Sequence, residues 1–432
     1  MVAETSPPSA KSTNKRKPLE EPDVLLDEAT SMLEEGDLEG ALVMFCDLAR
    51  KYPTGLVFHL YFSAILHLLG RLDEARKVLE TGVSIVPYSI ILKEGTPRAR
   101  VLRLRGIQNA YYTVGRGSKG YKMKLSGGGF SNAHMMSRDC FPTINYLVLG
   151  DNLLREKKLP AFEIIINSVA DADVEPESLK TIGTFIRNNP GYPVINNPDR
   201  VLDTTRDNNY RRFHQLDGII FPRTERLSSG DYAIEEIDSF LKEKGFRLPI
   251  LVRETGTQTG KSFDMAHTTD EVQRRLKETG SGEYFLIQYV EARFRIKYFR
   301  KMRFFFVGGK LFPVVLHIDE IWNVHGSNRK EIMARNAWMM DEEKAFLADP
   351  EGYLGADIYQ RIQGLYDIVG LDFFGIDFTV TEQGDVLIYE LNPAMRHSFD
   401  HARNFPYMEP HLQNITDAFN DMVAGRALKP SP

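Results

Sequence analysis

A chain of 432 residues, 42% hydrophobic and 26% charged, is long enough for two or three globular domains with a sizeable core. Its 54 Lys and Arg against 59 Asp and Glu leave a formal charge of -5, which excludes a global electrostatic footprint for nucleic acid or an anionic membrane. Two cysteines without metal-type spacing, Cys46 and Cys140, exclude a disulfide framework and a cysteine zinc site. With no apolar run near the roughly 20 residues of a membrane span and no secretory leader, the expected location is cytoplasmic and the expected partners are small molecules or proteins.

Residues 1–22 read as a disordered polar tail whose Lys-Arg-Lys cluster is solvated. From residue 23 the pattern is helical and repeats. "GDLEGALVMFCDLARKYP" begins at Gly36 and "GRLDEARKVLETGVSIVP" at Gly70, an offset of 34 that also carries Ala41 onto Ala75 and Pro53 onto Pro87. That period, with Gly opening the turn between two helices and Ala permitting close packing, resembles the tetratricopeptide repeat. The resemblance covers two repeats, so this all-α module is expected to lean on the next domain, pair with another copy or dock a protein partner.

"RARVLRLRGIQ" alternates basic and apolar residues and reads as an exposed strand or surface helix. The glycine-rich residues 115–130 read as a loop. From about Phe162, strand-like runs (EIIINSV, LPILV, YFLIQYV, MRFFFV, LFPVVLHI) alternate with helix-like ones (PESLKTIGTFIR, YAIEEIDSFLKEKG, TDEVQRRLKE, ADIYQRIQGLYDIVG), so the architecture is mixed α/β or α+β. "LVRETGTQTGKS", residues 251–262, ends like a phosphate-binding Walker A loop but has three residues, not four, between its first Gly and its Gly-Lys pair. The next residues, "SFDMAHTTDEVQRRLKE", read as strand, turn and helix, so the loop is better taken as a lid between two strands.

The segment "FFGIDFTVTEQGDVLIYELNP", residues 373–393, carries the most chemistry. If Gln383-Gly384 is a two-residue hairpin turn, paired positions sum to 767, which sets Asp377 opposite Glu390, with Asn392 on the same face. Ile376, Phe378, Tyr389 and Leu391 then cover the other face. Two facing carboxylates repel, so a positive group is expected between them. An all-oxygen set favours Mg²⁺.

Asp377 with Glu390-Leu391-Asn392-Pro393 resembles the metal-binding signature of the ATP-grasp ligases, and the resemblance runs over roughly residues 160–425. It implies an ATP-grasp fold behind the helical module: a pre-ATP-grasp domain over 95–200, a central subdomain over 201–290 and a C-terminal domain with the metal site over 291–432, after repeats over 23–94. It implies ATP and Mg²⁺, with Mn²⁺ as a substitute, held at Asp377, Glu390 and Asn392. Arg253 stands where the family usually has Lys, and the mobile loop runs on through Thr255, Gly256, Thr257, Gln258 and Lys261. "FLIQYVE" resembles the adenine hinge, giving Gln288 a side-chain contact, Tyr289 and Val290 backbone contacts, and Glu291 a place beside them. Arg303 matches a catalytic Arg. The family's second ATP-contacting Lys falls on Asn208, with Arg211 or Arg212 as substitutes from the next helical turn.

The implied reaction is attack of a substrate carboxylate on the γ-phosphate, then capture of the acyl phosphate by an amine. The implied partners are a small carboxylate and the amine of an amino acid or a peptide. After the metal ligands, "AMRHSFDHARNFPY" offers Arg396 or His397 for a substrate carboxylate, with His401 and Arg403 nearby. The irregular loop of residues 320–338 is expected to close over the site, with His325 as a base. Two other classes stay open: a kinase phosphorylating a hydroxyl, and a non-catalytic nucleotide-binding scaffold organised by the repeats.

Overall fold

The structure, a computed structural model, describes residues 21–91, 96–117, 120–131, 134–137, 139–156, 158–257, 263–278, 282–324, 326 and 329–428. The expected tail lies outside the described residues up to position 20, and its last two members already open the first helix, Glu21–Glu35. The chain forms two compact units, residues 1–85 with 112–124, and residues 86–111 with 125–432. Among the described residues no helix is long and apolar enough to cross a membrane.

In the first unit, helices Glu21–Glu35, Leu38–Lys51, Leu56–Leu68 and Leu72–Ile85 form two successive hairpins. Their tight turns use Gly36 at φ 92° and Gly70 at φ 77°, a left-handed conformation that an L side chain would strain. Ala41 and Ala75 are buried at the helix crossings, and Phe45 stacks on Tyr61 with centroids 4.7 Å apart. The repeat offset read from the sequence therefore coincides with two structurally equivalent turns. Where a loop was expected, residues Tyr111–Gly117 and Gly120–Ser126 pair as a two-stranded sheet. The physical reason is alternation: Val114, Tyr121 and Met123 pack into the helical core, and this outweighs the cost of glycine in a strand. The truly consecutive glycines, 127–129, do fall outside that strand pair.

Among the described residues the second unit holds three sheets of four or more strands. The first runs Tyr88–Ile91, Thr143–Val148, Val101–Gly106, Ile164–Asn167, Val194–Ile195, with all but the first pair parallel. "RARVLRLRGIQ" is thus a central strand rather than an exposed one: Val101, Leu102 and Leu104 are buried. Arg103 donates to Ser168 Oγ at 2.8 Å and to the Phe130 carbonyl at 2.8 Å, so its charge is accommodated without solvent exposure of the strand.

The second sheet is antiparallel: Phe263–Ala266, Ile250–Glu254, Glu283–Gln288, Thr224–Ser228. The third carries Tyr298–Val307, paired on one side with Lys310–Asp319 and on the other with Phe373–Val380, which continues to Val386–Asn392 and the short parallel strand Ile219–Ile220. On its buried side Phe304 stacks on Phe378 and Phe306 on Phe374, with centroids 5.3 and 4.2 Å apart. Each of these rings is fully buried, worth about 1.5–3 kcal/mol apiece by area. That packing fixes which face of the sheet is left for chemistry.

Candidate functional site

The hairpin Phe373–Val380 and Val386–Asn392 sets Asp377 opposite Glu390 and Gly375 opposite Asn392, as the 767 rule expects. It arrives there by a different route. Near the turn the pairing is offset by one, Phe378 with Ile388 and Val380 with Val386, and the connection is a loop in which Thr381 N–H donates to Asp385 O at 2.9 Å and Gly384 N–H to Thr381 O at 3.1 Å. Tyr389 is then one extra residue, a β-bulge that restores the expected register before Glu390. The bulge also moves Tyr389 from the back face, where alternation put it, to the cavity wall, and frees its carbonyl to accept from Arg206 Nη1 at 3.0 Å.

Positive groups sit on both carboxylates. Arg303, directly across the other strand pairing from Asp377, donates through Nε to Oδ1 at 2.6 Å and through Nη2 to Oδ2 at 2.9 Å. Lys301 Nζ lies 3.5 Å from the same Oδ2. Burial by itself would raise the Asp377 pKa; the charges of Arg303 and then Lys301 overcome it and hold the carboxyl at about 2. Glu390 Oε1 accepts from Arg206 Nη2 at 2.8 Å and from Asn392 Nδ2 at 3.3 Å, while Asn392 Oδ1 accepts the Ala394 N–H at 2.6 Å.

These groups face one cavity of about 440 Å³. Leu251, Ile287, Tyr289 and Val290 line an apolar part, and Lys301, Arg303, His317 and His401 a basic one. A smaller cavity of about 70 Å³ is lined by Arg206, Arg253, Gly256, Thr257, Glu390 and Asn392. Arg253 borders both and donates to the Thr257 carbonyl at 2.6 Å; burial, then the like charge of Arg206, lowers its pKa to about 10. Such a guanidinium gains from any anion brought beside it.

Other expected residues divide. Thr255 extends the strand, its N–H donating to Glu283 O at 2.9 Å, and lines neither cavity. Gln258, Lys261 and His325 lie outside the described residues. Gln288 borders the cavity, but its amide is committed to the Arg247 backbone, accepting the N–H at 2.9 Å and donating to the carbonyl at 2.8 Å. Its Oε1 keeps one lone pair beyond the bond to the Arg247 N–H. Glu291 is exposed and pairs with Arg293 instead of lining the cavity.

His397 corrects the expectation of a substrate residue: it is buried, its Nε2 3.1 Å from Thr416 Oγ1, its ring edge-on to Phe305 and Phe399, and burial lowers its pKa to about 4. Arg396 does line the cavity, tethered to Asp400 Oδ2 at 2.5 Å. Arg211 bonds Asp207 and Asn208, and Arg212 the carbonyls of Asp203 and Ile368, so both are committed away from the cavities. The cation of this helix that borders both cavities is Arg206, at its start, Arg206–Phe213. After Asp319, Trp322 borders the cavity, 5.5 Å from the Phe263 ring, and Arg329 forms a fully buried ion pair with Glu343.

No family model and no curated protein matches the chain. Solved structures do resemble it. A D-alanine–D-alanine ligase from Bacillus anthracis, complexed with ATP, aligns at 12% identity over 77% of this chain and 99% of its own, with a TM-score of 0.41. The VanG D-Ala:D-Ser ligase from Enterococcus faecalis aligns at 10% identity over 76% and 100%, with a TM-score of 0.44. A RimK domain ATP-grasp protein from Sphaerobacter thermophilus aligns at 12% identity over 65% and 90%, with a TM-score of 0.36.

Proposed function

We propose that the chain is an ATP-dependent ligase of the ATP-grasp kind, which activates a substrate carboxylate as an acyl phosphate and passes the acyl group to an amine, releasing ADP and phosphate. The observation that carries this reading is the meeting of Asp377, Glu390 and Asn392 from one hairpin with Arg206, Arg253 and Arg303 from three other elements around shared cavities. Anionic ligands joined to oxygen-seeking cations suit that combination.

The donor set suits Mg²⁺ or Mn²⁺: two carboxylates and an amide oxygen, with room for phosphate oxygens. Among the described residues no group of three His, Cys, Asp or Glu could hold a metal; the proposed set takes Asn392 as its third donor. Asp377, Glu390 and Asn392 would hold the ion, which would neutralise phosphate charge. The chain's own residues do the rest. Leu251, Ile287, Tyr289 and Val290 offer apolar walls for the base, and Arg253 and Arg206 stand where phosphates would enter. Both guanidiniums of the carboxylate pairs, Arg206 and Arg303, would shift part of their bonding from Glu390 and Asp377 to the nucleotide. Arg303 is then placed to stabilise charge on the transferring group and on the later oxyanion. Gly256 and Thr257 line the smaller cavity beside Arg253 and Arg206.

The test is ADP release by the full chain with Mg·ATP and pooled acids and amines, followed by mass analysis. Turnover that needs both an acid and an amine, and falls about 100-fold or more in Glu390→Gln, is expected. Full turnover in Glu390→Gln would sink the hairpin assignment. A phosphate ester formed without an amine would mean phosphoryl transfer to a hydroxyl, and ATP binding with no ADP from any mixture would mean a scaffold.

A further inference from the structure

Past Arg303 the cavity continues into a second cluster of donors. Lys301 lies two residues from Arg303 on the same face of the strand, about 7 Å along it, and its cross-strand partner is His317. His401, from the irregular segment after the hairpin, brings its ring to 5.8 Å from that of His317. Gly326 lies against both imidazoles: a Cβ there would stand at ordinary contact distance, 3.5 Å from His317 Nε2 and 3.6 Å from His401 Cε1. Among the described residues the His401 ring has no hydrogen-bond or ion-pair partner, and His317 has one long contact, Nδ1 to Arg329 Nη1 at 3.4 Å. The nearby carboxylates are already paired, Asp377 with Arg303 and Lys301 and Asp400 with Arg396. Burial, and then the charge of Arg329, keeps both histidines neutral, His401 at about 4. An anion seated among them would raise their proton affinity and turn them into charged donors, whereas an ammonium would be repelled by Lys301 and Arg329.

We infer that this end holds a second carboxylate of the acid substrate, so that the acid is a short α,ω-dicarboxylate with one carboxyl at Arg303 and the other among Lys301, His317 and His401. This rests on the ligase reading of the same cavity. Arg303 Nη2 and Lys301 Nζ both reach Asp377 Oδ2, at 2.9 and 3.5 Å, so the two carboxyls they would hold stand close together and the acid is short.

The experiment is isothermal titration of the full chain with glutarate and with valerate, the monoacid of the same carbon count. Glutarate is expected to bind about 10-fold tighter, the worth of one charge-assisted contact. His401→Leu should collapse that ratio toward one. Gly326→Val, which narrows the approach while keeping both imidazoles, should do the same and serves if the first variant does not fold. Equal affinities in the wild type, or a ratio unchanged in both variants, would overturn the inference. ADP release is read separately: a glutarate preference without turnover on any acid would end the ligase reading and leave the dicarboxylate site standing.

Discussion

Replacing Asp377 by Asn removes the one negative charge that Arg303 and Lys301 share, and the structure sets the size of the effect. The carboxylate is 3% exposed, and its pKa is about 2 against an ordinary 3.8. That depression of nearly two units, at about 1.4 kcal/mol each, corresponds to roughly 2–3 kcal/mol of stability at neutral pH. Breaking a buried pair by removing one partner costs about 3–5 kcal/mol, and the side chains of Arg303 and Lys301 keep 24% and 21% of their exposure, which softens the loss. The expected destabilisation is therefore about 2–4 kcal/mol at pH 7. Urea unfolding followed by the fluorescence of Trp322 and Trp338 measures it. Because the folded pKa is depressed, the stabilisation is fully present above the ordinary carboxyl value and is lost as pH falls from about 4 through about 2, so wild type and variant should converge there. Equal unfolding midpoints at pH 7, or a gap that persists unchanged to pH 2, would refute the reasoning.

Gln288→Ala should lower stability by about 1–2 kcal/mol, because it removes both bonds to the Arg247 backbone; a weaker KM for ATP with unchanged stability would contradict this. Glu343→Gln leaves the buried Arg329 guanidinium without its counter-charge and should cost about 3–5 kcal/mol in chemical unfolding, against a near-wild-type midpoint if the pair were dispensable. His397, neutral in the fold down to about 4, takes up a proton on unfolding at its ordinary 6.5. Its stabilising share is present above that value and is lost as pH falls toward 4, at about 1.4 kcal/mol per pH unit. His397→Leu should flatten stability against pH between about 4 and 6.5 by one proton; an unchanged slope would show that another group takes up the proton.

The carboxylate pair was legible because strand alternation and a turn sum are local rules, and the Asp377–Glu390 pairing comes from them. Its correctness nevertheless depended on two departures that offset each other, a longer loop and the bulge at Tyr389, neither of which has a signature in this sequence. Arg206 was missed because it meets Glu390 across 184 residues of chain, and no period links them. His397 and His401 sit in an irregular segment, where the fourth residue after a buried one carries no rule about facing. Arg303 was legible through a motif, while Lys301 accompanied it by alternation alone and His317 only through the register of the neighbouring strand. In the helical unit the glycine offset survived intact because a left-handed turn leaves little choice of residue. The strand pair over 111–126 was hidden by its glycines, since the packing that stabilises it comes from helices far upstream.

The central claim is that the cavity makes an acyl phosphate. Hydroxylamine, supplied in place of the amine with Mg·ATP and an acid that supports ADP release, measures it most directly. The account predicts acyl hydroxamate formed in step with ADP, and both lost together in Glu390→Gln. ADP released without hydroxamate, alongside a stable phosphate ester, would contradict it.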